Sequence, residues 1–192
     1  MAKRLKYWGW GYEGDGLSPS DRDALLATLA AGYAIDATGT VAVPGLGDIS
    51  LPLPRLAPPP ALVPLCAQDP YERVLHSFGQ SQPDSIRIFS RDFAHAPDVV
   101  AYPQDEDDVA ALLEWAGEEG AALIPFGGGS SVVGGVTPDV ADRYAGVVTL
   151  DMSRMNRVLE VDTLSRSALI QGGARGPELE AALNPPGVPL RH

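Results

Sequence analysis

An α+β fold is predicted from three observations. Between Val99 and Leu183, short apolar runs rich in β-branched residues interleave with stretches of helical period. One of those stretches, Asp105 to Glu119, carries signals for both of its ends. An apolar run, Ala121 to Ile124, passes directly into a glycine-rich segment, as a buried strand does when it hands over to a ligand-contacting loop. The predicted order from Val99 is β-α-β-loop-β-β-β-α.

The elements follow in chain order. Residues 1–17 form a basic and aromatic arm in which Trp8, Trp10 and Tyr12 alternate with glycine or polar residues. It is expected either to pack its aromatics on its own core or to dock on another domain or subunit. Ser18 or Ser20 can cap a helix from Pro19 to Ala31, with Leu25, Leu26, Leu29 and Tyr33 as a packing stripe and Gly32 as its end. The proline cluster from Val43 to Pro64 reads as an extended linker running over a surface. A short helix is predicted from Asp69 to Phe78, then loop over 79–90, with Ile86 to Phe89 extended.

Asp105 to Glu119 is the best-defined helix. Gln104 or Asp105 sits at its N-cap, and Asp105, Glu106, Asp107 and Asp108 complement the positive end of the helix dipole. That role explains the acid run without a metal, because adjacent carboxylates diverge around a helix. Val109, Leu112, Leu113 and Ala116 are expected to face the core, with Trp115 at its edge and Gly120 as the stop. Beyond the loop, strands are predicted at Gly146–Asp151, Arg157–Val161 and Ser167–Gln171. A helix with Pro177 in its first turn is predicted from Gly176 to Leu183.

The loop Pro125-Phe126-Gly127-Gly128-Gly129-Ser130-Ser131-Val132-Val133-Gly134-Gly135 is the most telling segment. It has little side chain to pack. It offers backbone N–H groups and hydroxyls that can approach an anion closely. It is not a P-loop, because the only lysines are Lys3 and Lys6. It is not a Rossmann fingerprint either, since Val132 stands where the third glycine would be. A phosphate-bearing cofactor is the guest such a loop suits, the plainer alternative being a flexible hairpin with a glycine bulge.

Pro97-Asp98-Val99-Val100-x-x-Pro103, an acidic helix, a strand and Pro125-x-Gly-Gly-Gly-Ser-Ser together resemble the FAD-binding domain of the vanillyl-alcohol oxidase / p-cresol methylhydroxylase (PCMH) type. Lys6-Tyr7-Trp8-Gly9-Trp10-Gly11-Tyr12, His76-Ser77-x-Gly79-Gln80-Ser81 and Ser90-Arg91-Asp92-x-x-His95-Ala96-Pro97-Asp98 look like the N-terminal part of bacterial alkyldihydroxyacetonephosphate synthases. The resemblance implies FAD as cofactor. It places the diphosphate on Pro125, Phe126, Gly127, Gly128, Gly129, Ser130 and Ser131.

Relatives that bind FAD covalently carry a histidine where Gly129 stands, so non-covalent FAD is expected. The implied organisation is an N-terminal arm and helical region over 1–91, with its linker near 43–64, and a partial PCMH-type domain over 92–192. That partial domain would hold the first of two α+β subdomains. On this reading the chain is a truncated piece, inactive by itself. The implied chemistry is exchange of an acyl for an alkyl group on dihydroxyacetone phosphate through flavin N5. The alternatives are a FAD-linked 2-hydroxy-acid (D-lactate or glycolate type) oxidoreductase and a non-catalytic flavin-binding module.

Composition bounds the rest. A net charge of −11 argues against nucleic acid and anionic lipid as partners. Cys66 is alone, so neither an intrachain disulfide nor a cysteine zinc site can form. No apolar run is long enough to be read as a transmembrane segment. A small-molecule or lipid-like substrate and a cytoplasmic location are expected, and a homodimer is left open. His76, His95 and His192 are the only histidines, and His95 is assigned a structural role. Arg87, Arg91 and Arg175 are read as surface or ion-pair residues. No catalytic residue and no metal ligand is nominated.

Overall fold

The computed structural model describes residues 4–33, 41–140, 142–184 and 187. Its centre is a four-stranded sheet in the order β1-β2-β4-β3. The strands are β1 (Cys66–Ala67), β2 (Val99–Ala101), β3 (Ala122–Phe126) and β4 (Val147–Asp151). β1 pairs antiparallel with β2, while β2 and β3 both run parallel to β4. β3 is therefore an edge strand, which is where a proline such as Pro125 can sit without breaking a central ladder.

Among the described residues the α-helices are α1 (Pro19–Tyr33), α2 (Pro70–Leu75), α3 (Gln82–Phe89), α4 (Glu106–Glu118) and α5 (Gly176–Leu183). A separate antiparallel hairpin joins β5 (Val158–Asp162) to β6 (Ser167–Ile170). From β2 onward the order of strands and helices is the predicted one.

Every residue of β4 is buried, consistent with a central parallel strand covered on both faces. Leu112 and Trp115 of α4 pack with Val99, Ala101, Val148 and Leu150 on one face of the sheet. Leu56 and Leu62 from the proline-rich stretch, and Leu65 just after it, join that cluster. A second cluster gathers Tyr7, Tyr71, Val74, Phe78, Ile88 and Phe93. Asp98, just before β2, ties the proline-rich stretch to the sheet. It accepts from the Arg55 backbone N–H at 2.7 Å, from the Arg55 guanidinium at 3.0 and 2.7 Å, and from Val147 N–H at 2.7 Å.

Three local expectations are corrected. Residues 82–89 are helical rather than loop and strand. Ser81 accepts from Asp84 N–H while the Asp84 carboxylate accepts from Ser81 N–H, a capping box that starts the helix. Ile88 is then buried and Ile86 is 60% exposed, a difference that alternation along a strand would not produce. On α4, Trp115 is buried and Leu113 exposed, because Leu112, Trp115 and Ala116 share one face and Leu113 lies around the helix from them. The stripe on α1 is not a buried face, since Leu26 and Leu29 are half-buried and Leu25 and Tyr33 exposed. His192 and the prolines at 185 and 186 lie outside the described residues.

Candidate cofactor site

Paired in register, Phe126 and Asp151 end β3 and β4. The glycine loop leaves from Phe126, so it stands over the carboxyl ends of two parallel strands, where open α/β sheets receive ligands. Gly129 has φ +66°, and a Cβ there would come within 2.5 Å of the Phe126 ring. Glycine at this position is thus required by the loop itself. Gly128 differs, since a Cβ there would meet nothing within 4 Å. It faces open space.

The far end of the loop is clamped by the segment after α2. Gln80 N–H donates to the Ser131 carbonyl at 2.7 Å, and a Cβ on Gly79 would lie 2.1 Å from that same oxygen. The Ser131 hydroxyl is turned onto its own loop, accepting from Gly135 N–H at 2.9 Å. This explains Gly79 in the His76-Ser77-Phe78-Gly79-Gln80-Ser81 stretch: it lets two backbones touch.

A cleft of about 460 Å³ opens beside the loop, within the roughly 300–1,000 Å³ of ordinary small-molecule sites. One wall is Phe126, Gly128, Gly129 and Ser130, with Asp151 beneath. Pro125, Gly127 and Ser131 do not line it. The second wall is the arm, including Lys6, Trp10 and Tyr12, and Ala174, Arg175 and Gly176 close the end.

The arm is a hairpin pinned to its own core. Leu5 bridges Tyr12, and Glu13 N–H donates to the Arg4 carbonyl at 2.7 Å. The Tyr71 hydroxyl donates to the Leu5 carbonyl at 2.8 Å, and the Arg4 guanidinium lies 3.5 Å over the Tyr71 ring. Tyr7 is buried and its hydroxyl donates to the Pro44 carbonyl. Trp10, by contrast, is 65% exposed.

Beneath the loop lies a polar group the sequence did not disclose. His76 is wholly buried, with Nδ1 2.7 Å from the Glu72 carbonyl and Nε2 2.8 Å from Asp151 Oδ2. The Phe126 ring sits 4.4 Å from the His76 ring. Asp151 Oδ1 accepts from Ser153 N–H at 2.7 Å. Burial opposes ionisation of Asp151, but the hydrogen bonds from His76 and Ser153 outweigh it and hold the carboxyl below its usual range. The Tyr102 hydroxyl donates to the Glu72 carboxylate; burial first, and that acceptor second, push it well above the usual phenol range.

The other residues singled out in the sequence scatter. His95 is 3.7 Å from Asp139 on the surface, and Arg87 is 3.6 Å from Asp84. Burial pushes the Cys66 thiol up to about 11, which leaves it inert. Among the described residues, no cluster of His, Cys, Asp or Glu could hold a metal ion, and no helix is long and apolar enough to cross a membrane.

The profile of an FAD binding domain matches residues 97–192, half of the chain. The chain belongs to this FAD-binding family. FAD is the cofactor of such domains, and the fit here is physical: a loop with no side chain at Gly128 opens on a cleft at the carboxyl end of a parallel sheet. The chain is similar to alkyldihydroxyacetonephosphate synthase of Dictyostelium discoideum, at 40% identity over 124 residues. That match covers 65% of this chain and 20% of the relative. The synthase of Trypanosoma brucei brucei is 35% identical over the same shares.

A solved alkyldihydroxyacetonephosphate synthase superposes with a TM-score of 0.78 at 29% identity, covering 95% of this chain and 39% of that one. The FAD-binding chain thus spans about a fifth of the length of the curated relatives it matches.

Proposed function

We propose that this chain is the FAD-binding part of a flavoenzyme resembling alkyldihydroxyacetonephosphate synthase, with Pro125–Ser131 as the diphosphate cradle. The observation that carries the reading is the open space at Gly128 in the cleft wall. There a phosphate can meet main-chain N–H groups that no Cβ shields. Gly129 and Phe126 fix the loop's shape, Gly79 and Gln80 anchor its far end, and Ser130 adds a hydroxyl to the wall. Flavin supplies the redox and carbon-capture chemistry when bound.

The chain's part is to bind and orient the cofactor. Gly129 stands where covalently linked relatives carry a histidine, and on that ground the reading takes FAD as non-covalent. Exchange of an acyl for an alkyl group on a lipid-like substrate is the activity this reading assigns to the whole enzyme. The division at residues 91 and 92, between the arm region and the cofactor domain, belongs to the same proposal.

Gly128→Val, made at the matching position of a full-length relative, tests it. The variant is expected to keep the parent's melting temperature and to lose flavin, measured as flavin absorbance per protein after gel filtration. Normal FAD occupancy in the variant would sink the cradle assignment.

A further inference from the structure

We infer that His76 is a built-in counter-ion, present so that the Asp151 carboxylate can stand in a cleft meant for a diphosphate. The inference rests on the cradle reading above. A neutral imidazole donates from one nitrogen and accepts at the other. Here both nitrogens face acceptors: the Glu72 carbonyl at Nδ1, 2.7 Å away, and Asp151 Oδ2 at Nε2, 2.8 Å away. With Asp151 ionised both partners are acceptors, so the inferred ring is an imidazolium that donates from both nitrogens. The pair is a charge-assisted hydrogen bond in a site shielded from water.

The surrounding charges agree. α2 contributes Glu72, whose carboxylate is 3.8 Å from Nδ1 and accepts from the Tyr102 hydroxyl. The segment after β2 contributes Tyr102, 6.0 Å away, with the Arg154 guanidinium 4.9 Å from its ring. β4 contributes Asp151, and β3 only the uncharged Phe126 ring. Around the ring, two carboxylates, one guanidinium and one imidazolium sum to zero, while Lys6 and Arg175 line other walls of the cleft. With a neutral His76 the cluster would carry one negative charge, and Asp151 lines the cleft. A buried charge stripped of its partner is poorly screened and repels an incoming anion. His76 is therefore a positioning and neutralising residue, acting on the cofactor through Asp151.

The test uses the 192-residue chain, its His76→Gln and Asp151→Asn variants, and the double variant. ADP serves as the diphosphate probe and riboflavin as the phosphate-free control. Histidine ¹⁵N NMR at neutral pH is expected to show both His76 ring nitrogens protonated; a neutral tautomer would overturn the inference. In titrations followed by glycine-loop amide shifts, His76→Gln should weaken ADP binding on the order of tenfold and leave riboflavin unaffected. The double variant should regain affinity to within about threefold of the parent, since the unpaired charge is gone.

A double variant as weak as His76→Gln would overturn the counter-ion role while leaving the cradle standing. Absence of any ADP response in the parent chain would overturn the cradle, and this inference with it.

Discussion

Strands β4 and β6 are built from similar residues and meet different fates. Val147, Val148, Thr149 and Leu150 are all buried, whereas Leu169 of β6 is 58% exposed and Leu164, at the hairpin turn, is 94% exposed. Both strands have ladder partners. What separates them is cover. β4 has α4 on one face and the His76 network against Asp151, while no residue of the two-stranded β5–β6 hairpin is fully buried. Pairing makes a strand, and layers on both faces make a core.

The sharpest way to break that contrast is to place a charge in each strand. Val148→Asp is expected to prevent folding, since an unpaired carboxylate would sit against Leu112 and Trp115. Leu169→Asp should leave the circular dichroism melt within about 0.5 kcal/mol of the parent, as surface changes do. Equal losses would mean that the hairpin is as much a part of the core as β4. Leu112→Ala, which only opens a cavity, should cost about 2–5 kcal/mol in urea denaturation.

Acid is the next lever, acting on the polar tie at the other end of the sheet. Burial raises the Asp98 pKa, but the hydrogen bonds from Arg55 and Val147 prevail and hold it below 3.8 in the folded state. A depressed carboxyl contributes stability above the unfolded value that is lost as pH falls through the folded one. Melting temperature should thus decline as pH drops below 3.8. In Asp98→Asn the decline across that same window should be shallower, from a lower starting point. An unchanged acid profile would remove Asp98 from the ties that hold the proline-rich stretch on the sheet.

Within the loop the comparison narrows to two adjacent glycines. Gly129→Ala places a side chain at φ +66° against the Phe126 ring and should cost about 1–3 kcal/mol of stability. Gly128→Ala should leave stability within about 0.5 kcal/mol and weaken FAD binding. The smallest effect on folding is expected from Trp10→Ala, because that indole is 65% exposed. If the arm is the second wall of the cofactor cleft, this variant should still bind FAD less tightly. An unchanged affinity in equilibrium dialysis would remove Trp10 from the site.

The elements around the glycine loop were legible because their signals are local. The acid run before Val109 and the glycines after Phe126 each specify backbone geometry within a few residues, and the strand order from Val99 follows from apolar runs alone. The His76–Asp151 pair was not legible. Its members are 75 residues apart, and nothing in their neighbours marks them for each other. The helix over 82–89 was missed because Ile86, Arg87 and Ile88 mimic alternation, while the deciding signal was the Ser81–Asp84 cap. The stripe on α1 shows the converse, since a helical period alone does not bury a face.

Lys3 and Lys6 are the only lysines of the chain, and Lys6 stands in the cleft wall. Among the described residues, side-chain amine chemistry is thereby confined to Lys6. An acylating reagent modifies no lysine on the sheet, the glycine loop or the β5–β6 ribbon, so among the described residues a label introduced on a lysine reports from Lys6, in the wall of the cleft.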